Sequence, residues 1–241
     1  MLQSLVRMLR SSAILTTVTA SLVLAGCGQK GASNTATTVP ENVTAATSSP
    51  VATGDAAMLA AAEPFEKLTE TAFSATPDAL DVTIGEVNDA ARSVRGSLTG
   101  GASSQLDERL AAIAAARQSN NRADLAIAAI EGFRVLVSGV SSAAKVPTAV
   151  NLLDYAGFRY DADLKANPAR WADMTQAATF GSNQWRLISS RVTDSALRAR
   201  VDRALTEMSA AAKARNVRAG AVAAKLELAV VDDLETFFNK H

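Results

Sequence analysis

The sequence predicts an all-α fold, an antiparallel up-down bundle of about eight helices over residues 55–241, on three observations. From Asp55 onward apolar residues recur at three- and four-residue spacings, which puts them on one face of a helix. No stretch alternates with period two, as half-buried strands do. Alanine is abundant and aromatic residues make up only 5% of the chain, so neighbouring helices can approach closely. Burial would then be driven by area summed over many small side chains.

The first helix spans roughly 56–74, with Met58, Ala62, Phe65, Leu68 and Ala72 on one face; Pro64 is expected to kink or restart it. Thr76-Pro77 starts the second, 77–95, which carries Leu80, Ile84, Val87, Ala91 and Val94 and stops at Gly96. Ser104 and Asp107 read as a capping box for the third, with a seam of Leu106, Leu110, Ile113 and Ala114. Asn121 caps the fourth, 122–140, where Ala126, Ala129, Phe133, Leu136 and Val140 share a face. The fifth runs 147–165. The sixth follows at 168–190, with Asn167-Pro168 as its cap and first residue. Thr193 or Asp194 starts the seventh, with Leu197, Val201, Leu205, Met208 and Ala212. Asn216 precedes the eighth, with Val222, Leu226, Val230, Leu234 and Phe237 as its stripe. Short connections between long amphipathic helices make neighbours antiparallel.

Upstream the chain changes character. Arg7 and Arg10 flank an apolar run from Ala13 to Leu24 that ends in Leu24-Ala25-Gly26-Cys27. A basic flank, a short apolar core and small residues at a cleavage site read as a secretory signal, too short to span a bilayer. With Cys27 at the cut, the motif resembles the lipobox of bacterial lipoproteins, over about the first 27 residues. That resemblance implies diacylglycerol (as palmitate or similar chains) on the Cys27 sulfur, cleavage before Cys27 and acylation of the new amino group. It also implies a cell-envelope location; Gly28 after the cysteine favours the periplasmic face of the outer membrane. The segment 27–54, rich in Ser, Thr, Ala, Asn and Pro, cannot bury enough apolar surface to fold and reads as a disordered tether. As a coil it would span about 30 Å. The expected organisation is thus 1–26 signal peptide, 27–54 lipidated tether and 55–241 helical domain.

Composition excludes several chemistries. Cys27 is the sole cysteine, so once lipidated it leaves no thiol for disulfides, nucleophilic attack or thiolate metal sites. His241, the last residue, is the sole histidine, which argues against a His-based triad, a multi-His metal site or a haem ligand pair. No cofactor is implied. The 24 basic and 24 acidic residues balance; losing Arg7 and Arg10 leaves a slight acidic excess, which does not suggest nucleic acid.

The distinctive region is the hairpin of the fifth and sixth helices, which holds both tyrosines and both tryptophans. Trp171, Met174, Ala178, Gly181, Trp185 and Ile188 repeat at helical spacing, and Leu153, Gly157, Tyr160 and Leu164 make the matching face. A candidate ligand pocket follows: Tyr160, Trp171 and Trp185 as walls, a recess beside Gly157 and Gly181, and Arg159 or Asp161 at its mouth. The alternative is a stripe of large core residues with glycines relieving crowding, and this is the stronger expectation. Asp154 and Asp161 share an edge of the fifth helix, and Arg159 lies four residues before Asp163; a solvated, charged face is expected there. Glu131 and Arg134 read as an i,i+3 pair facing away from the fourth helix's apolar stripe. An exported all-helical chain of this size also resembles, in architecture alone, the imelysin-like lipoproteins of bacterial iron uptake. Their Gly-x-His-x-x-Glu motif is absent here, so no residue carries over.

These readings lead to a membrane-tethered, non-catalytic binding or interaction module in the periplasm, with a protein partner or a small ligand. The alternative is a small-ligand or metal-binding protein using the 155–185 hairpin, with carboxylate and tyrosine oxygens as ligands. A third is a carboxylate-dependent enzyme acting on cell-wall glycans.

Overall fold

Among the described residues, eight α-helices close into two rings of four. The computed structural model describes residues 50–141 and 144–241. The expected signal segment, Cys27 and the expected tether as far as residue 49 lie outside the described residues. α1 (Pro50–Thr71), α2 (Pro77–Val94), α3 (Ala102–Gln118) and α4 (Arg122–Val137) form the first ring, in which α4 returns to pack on α1. α5 (Thr148–Lys165), α6 (Trp171–Ile188), α7 (Ser195–Ala214) and α8 (Val217–Lys240) form the second, with α8 returning to α5. Packing of α4 on α5 joins the two. Among the described residues there is no strand, and no helix is long and apolar enough to cross a membrane.

Each ring has its own apolar core. Phe65, Leu68, Leu80, Leu106, Ile113, Leu125 and Leu136 fill the first; Met174, Trp185, Val201, Met208, Val230 and Leu234 fill the second. The joining helices must satisfy both neighbours. Twelve of the 16 residues of α4 and twelve of the 18 of α5 are buried, against five of 18 in the outer helix α2. A helix apolar nearly all round belongs inside a structure, and one with a single stripe belongs at its surface.

The helix starts follow the capping chemistry closely. Side-chain oxygens of Thr76, Asn121, Asp194 and Asn216 accept first-turn N–H groups of α2, α4, α7 and α8. Other boundaries differ from the sequence expectation. α1 runs unbroken through Pro64, and it takes in Pro50–Gly54, which the composition had placed in the tether. α3 begins at Ala102 after Gly101 without a side-chain cap, so Ser104 and Asp107 lie inside the helix; Asp107 instead pairs with Arg95. α2 ends at Val94, close to the expected stop, and the chain continues through Gly96 in a separate short 3-10 turn, Arg95–Ser97. Pro147 caps α5 rather than opening it, and α6 begins only at Trp171, beyond the cis Asn167-Pro168 bond. On α8, Val222 is exposed, and Gly220, Ala223, Ala224, Glu227 and Val231 are buried instead. Ala114 of α3 faces solvent, and Ala116 takes the core position.

Candidate functional site

The densest cluster of ionisable groups lies in the seam between the rings. Tyr155, Arg159 and Asp163 sit on α5 at four-residue spacings, so they stack along one edge of it. Glu131 meets them from α4, and Arg134 flanks Glu131 one turn further on. Glu131 accepts the Tyr155 hydroxyl at 2.7 Å and Arg159 Nη1 at 2.5 Å on Oε1, and Nε and Nη2 of Arg134 at 3.0 and 2.9 Å on Oε2. Arg159 also donates Nε to Asp163 Oδ2 at 2.8 Å. The Arg134 guanidinium stands 5.5 Å from the Tyr155 ring centre, and Phe180 of α6 meets the same ring edge-on at 5.2 Å. One phenol and two guanidiniums thus converge on one buried carboxylate.

Burial and charge pull these groups in different directions. Burial alone would raise the pKa of Glu131, but the Tyr155 hydroxyl and the two arginines outweigh it and hold the carboxyl below its ordinary value. Tyr155 is pushed well up by burial and by the Glu131 charge, so it stays a hydrogen-bond donor. Burial lowers Arg159, yet Asp163 and Glu131 more than restore it, and its charge is secure. Asp163 is the exception. It is fully buried, its Oδ1 accepts no hydrogen bond from the protein, and burial lifts its pKa to about 6 despite Arg159. The seam therefore holds one firmly ionised carboxylate and one that changes charge in mildly acidic solution.

The sequence-derived surface reading of these residues is corrected. Glu131 is 7% exposed and Asp163 not at all, because α5 is covered on both sides and has no solvated face there. Asp154 is buried as well. Glu131 and Arg134 do form the expected i,i+3 pair, and Arg159 and Asp163 the i,i+4 pair, but both pairs fuse through the Arg159–Glu131 contact into one network.

The residues proposed for a pocket in the hairpin do not meet in one recess. Tyr160 is fully buried and donates to the Met208 carbonyl at 2.9 Å, and burial pushes its pKa up to about 12. Beside Gly157 the space is filled: a Cβ there would collide with Oε2 of the buried Glu227 and with Leu228. Gly181 lies against Leu205, Ala156 and Leu153. Trp185 is 5% exposed and donates Nε1 to Asp202 at 2.6 Å, at the edge of an open groove between α6 and α7. Trp171 half-covers the second core, Asp161 pairs with Lys165 at 2.5 Å, and Arg159 turns to the seam. Glycines in this hairpin admit neighbouring side chains.

A separate recess of about 380 Å³ opens where α1, α3 and α4 meet the loop after α2. Arg134, at the edge of the seam network, is the one charged residue lining it among the described residues; Thr99, Gln105 and Ser138 add polar groups, and Met58 and Val135 apolar walls. Sequence reasoning missed this recess, since it is assembled from three helices and a loop far apart in the chain. Among the described residues no group of three or more His, Cys, Asp or Glu is arranged to hold a metal ion. Comparison with family models, with curated proteins and with solved structures gave no significant match.

Proposed function

We propose that this chain is a lipid-tethered, non-catalytic binding module of the cell envelope. The observation that carries the reading is the state of its buried ionisable groups. Glu131, Tyr155 and Arg159 are spent on one another and Arg134 is held on Glu131, so these side chains clamp α4 to α5; of the four only Arg134 keeps an exposed side, and a permanent cation is no acid, base or nucleophile. The lipobox ending at Cys27 supplies the anchor in this reading, and the helical rings supply a rigid body to present a surface or recess. The open recess beside Arg134, rather than the 155–185 hairpin, is the better placed binding feature, because the hairpin glycines are already filled.

Intact-mass measurement of the membrane fraction tests the anchor: acylated Cys27 is expected, and Cys27→Ser should shift the protein to the soluble fraction. For the non-catalytic assignment, a deletion strain should be restored by a folded Asp163→Asn chain and not by Cys27→Ser. A folded Asp163→Asn chain that fails to restore the strain would move the reading to a carboxylate-dependent enzyme.

A further inference from the structure

We propose that the recess between α1, α3 and α4 binds a small organic anion, a carboxylate carried on a short apolar body, with Arg134 as its counter-ion. The inference rests on reading the chain as a binding module and names the ligand class. Three features point to it. The recess, about 380 Å³, is within the range of small-molecule sites. Its single charged lining residue among those described is a cation, and no acid lines it to repel an anion. Beside that cation stand Thr99, Gln105 and Ser138, whose hydroxyl and amide groups can donate to carboxylate oxygens, while Met58 and Val135 offer apolar wall.

Arg134 is prepared for this role by the seam. Its Nε and Nη2 are fixed on Glu131 Oε2, and the Tyr155 ring lies beneath its plane. Those two bonds use two of the five donors of a guanidinium, and they hold the fork still. A fixed fork loses little conformational freedom on binding, which favours a planar carboxylate over a more diffuse partner. Glu131 shares its charge between Arg134 and Arg159, which Asp163 also answers. The side chain of Arg134 is 37% exposed, enough for a ligand to reach it.

The test is a fluorine-NMR titration of the full-length chain in detergent with 4-fluorobenzoate, and with 4-fluorobenzamide as its neutral match in shape. Saturable binding of the benzoate, and binding of the amide at least tenfold weaker, is expected. Arg134→Gln should weaken the benzoate at least tenfold. Because that change also loosens the seam, Gln105→Glu is the second variant: Gln105 is exposed, takes no part in the seam network, and would put a negative charge in the recess. It should weaken benzoate at least tenfold while leaving the melting temperature nearly unchanged. Arg198→Gln, on the open groove beside Trp185, should change nothing. Equal binding of amide and benzoate, benzoate binding that survives Gln105→Glu, loss of it in Arg198→Gln, or no binding at all would overturn the anion site. None of these results touches the module reading, which fails instead on the strain and fractionation experiments above.

Discussion

At the centre of the first ring, Leu106 and Leu125 are buried in an apolar cluster; at the seam, Glu131 of the same helical assembly is almost as deeply buried among two arginines and a phenol. The two regions hold helices together by different physics. Apolar contact has no direction, so the ring cores specify volume and periodicity and accept substitutions that preserve them. The seam specifies geometry. Four donors meet two carboxylate oxygens at 2.5–3.0 Å, and a slip of either helix by one turn would strand the two that cross from α5, the Tyr155 hydroxyl and Arg159 Nη1. The cores thus build each ring, while the seam fixes how α4 meets α5. Buried ionic networks are not in general worth more than apolar packing, but they punish the loss of one member heavily.

The largest expected effect comes from that asymmetry. Glu131→Gln keeps the size of the side chain and removes its charge, leaving the largely buried Arg159 and the half-exposed Arg134 without their shared carboxylate. Denaturant unfolding should show a loss of about 3–5 kcal/mol. Leu106→Met, a swap of similar volume in a fully buried core position, should cost less than about 1.5 kcal/mol. Equal losses would erase the distinction between core and seam.

A second effect sets the two seam carboxyls against each other. The folded-state pKa of Asp163 is raised to about 6 from an ordinary 3.8, so folding favours its protonated form. Its contribution to stability is full below about pH 3.8 and is lost as pH rises through about 6. Burial sets the rise; among the charged groups facing Asp163, Arg159 on α5 and Arg170 just before α6 oppose it and Asp173 on α6 adds to it. A shift of this size corresponds to about 3 kcal/mol in all. Relative to Asp163→Asn, which cannot titrate, the wild type should lose about that much between pH 4 and pH 7 in paired urea curves. Glu131 has the opposite sign: its pKa is held below the ordinary value, and its contribution is lost only as pH falls through that lowered value. A wild type that tracks Asp163→Asn across this window would show that Asp163 is not desolvated.

What the sequence disclosed follows the same division. Helix identity, four of the caps and the core faces of α1, α2, α4 and α7 were legible, because periodicity and capping are local. The two-ring arrangement was not, although the run Ala123–Val137, apolar around most of its circumference, carries its trace. Pro64 misled because tertiary packing tolerates a proline that propensity alone would place at a break. The seam misled most. Glu131-x-x-Arg134 and Arg159-x-x-x-Asp163 are ordinary surface spacings, and the sequence says nothing of which helix covers them. The stronger cue was the four-residue register Tyr155, Arg159, Asp163 on a helix whose other face was already apolar. The recess beside Arg134 had no local cue.

The smallest expected effect isolates burial itself. Lys67 on α1 and Glu86 on α2 form an ion pair at 2.7 Å, as short as the contacts at the seam, and it likewise joins two helices. Its side chains are 52% and 43% exposed. Water and salt screen such a pair, and holding two long side chains together costs entropy, so the net gain should be small. Lys67→Ala should therefore change stability by less than about 1 kcal/mol, and added salt should shrink that difference further. At the seam most of the loss in Glu131→Gln should persist in high salt, because Arg159, at 20% exposure, lies largely out of reach of the ions, although Arg134 does not. If Lys67→Ala costs as much as Glu131→Gln, pairing distance rather than burial governs both sites, and the seam is no more specific than the surface.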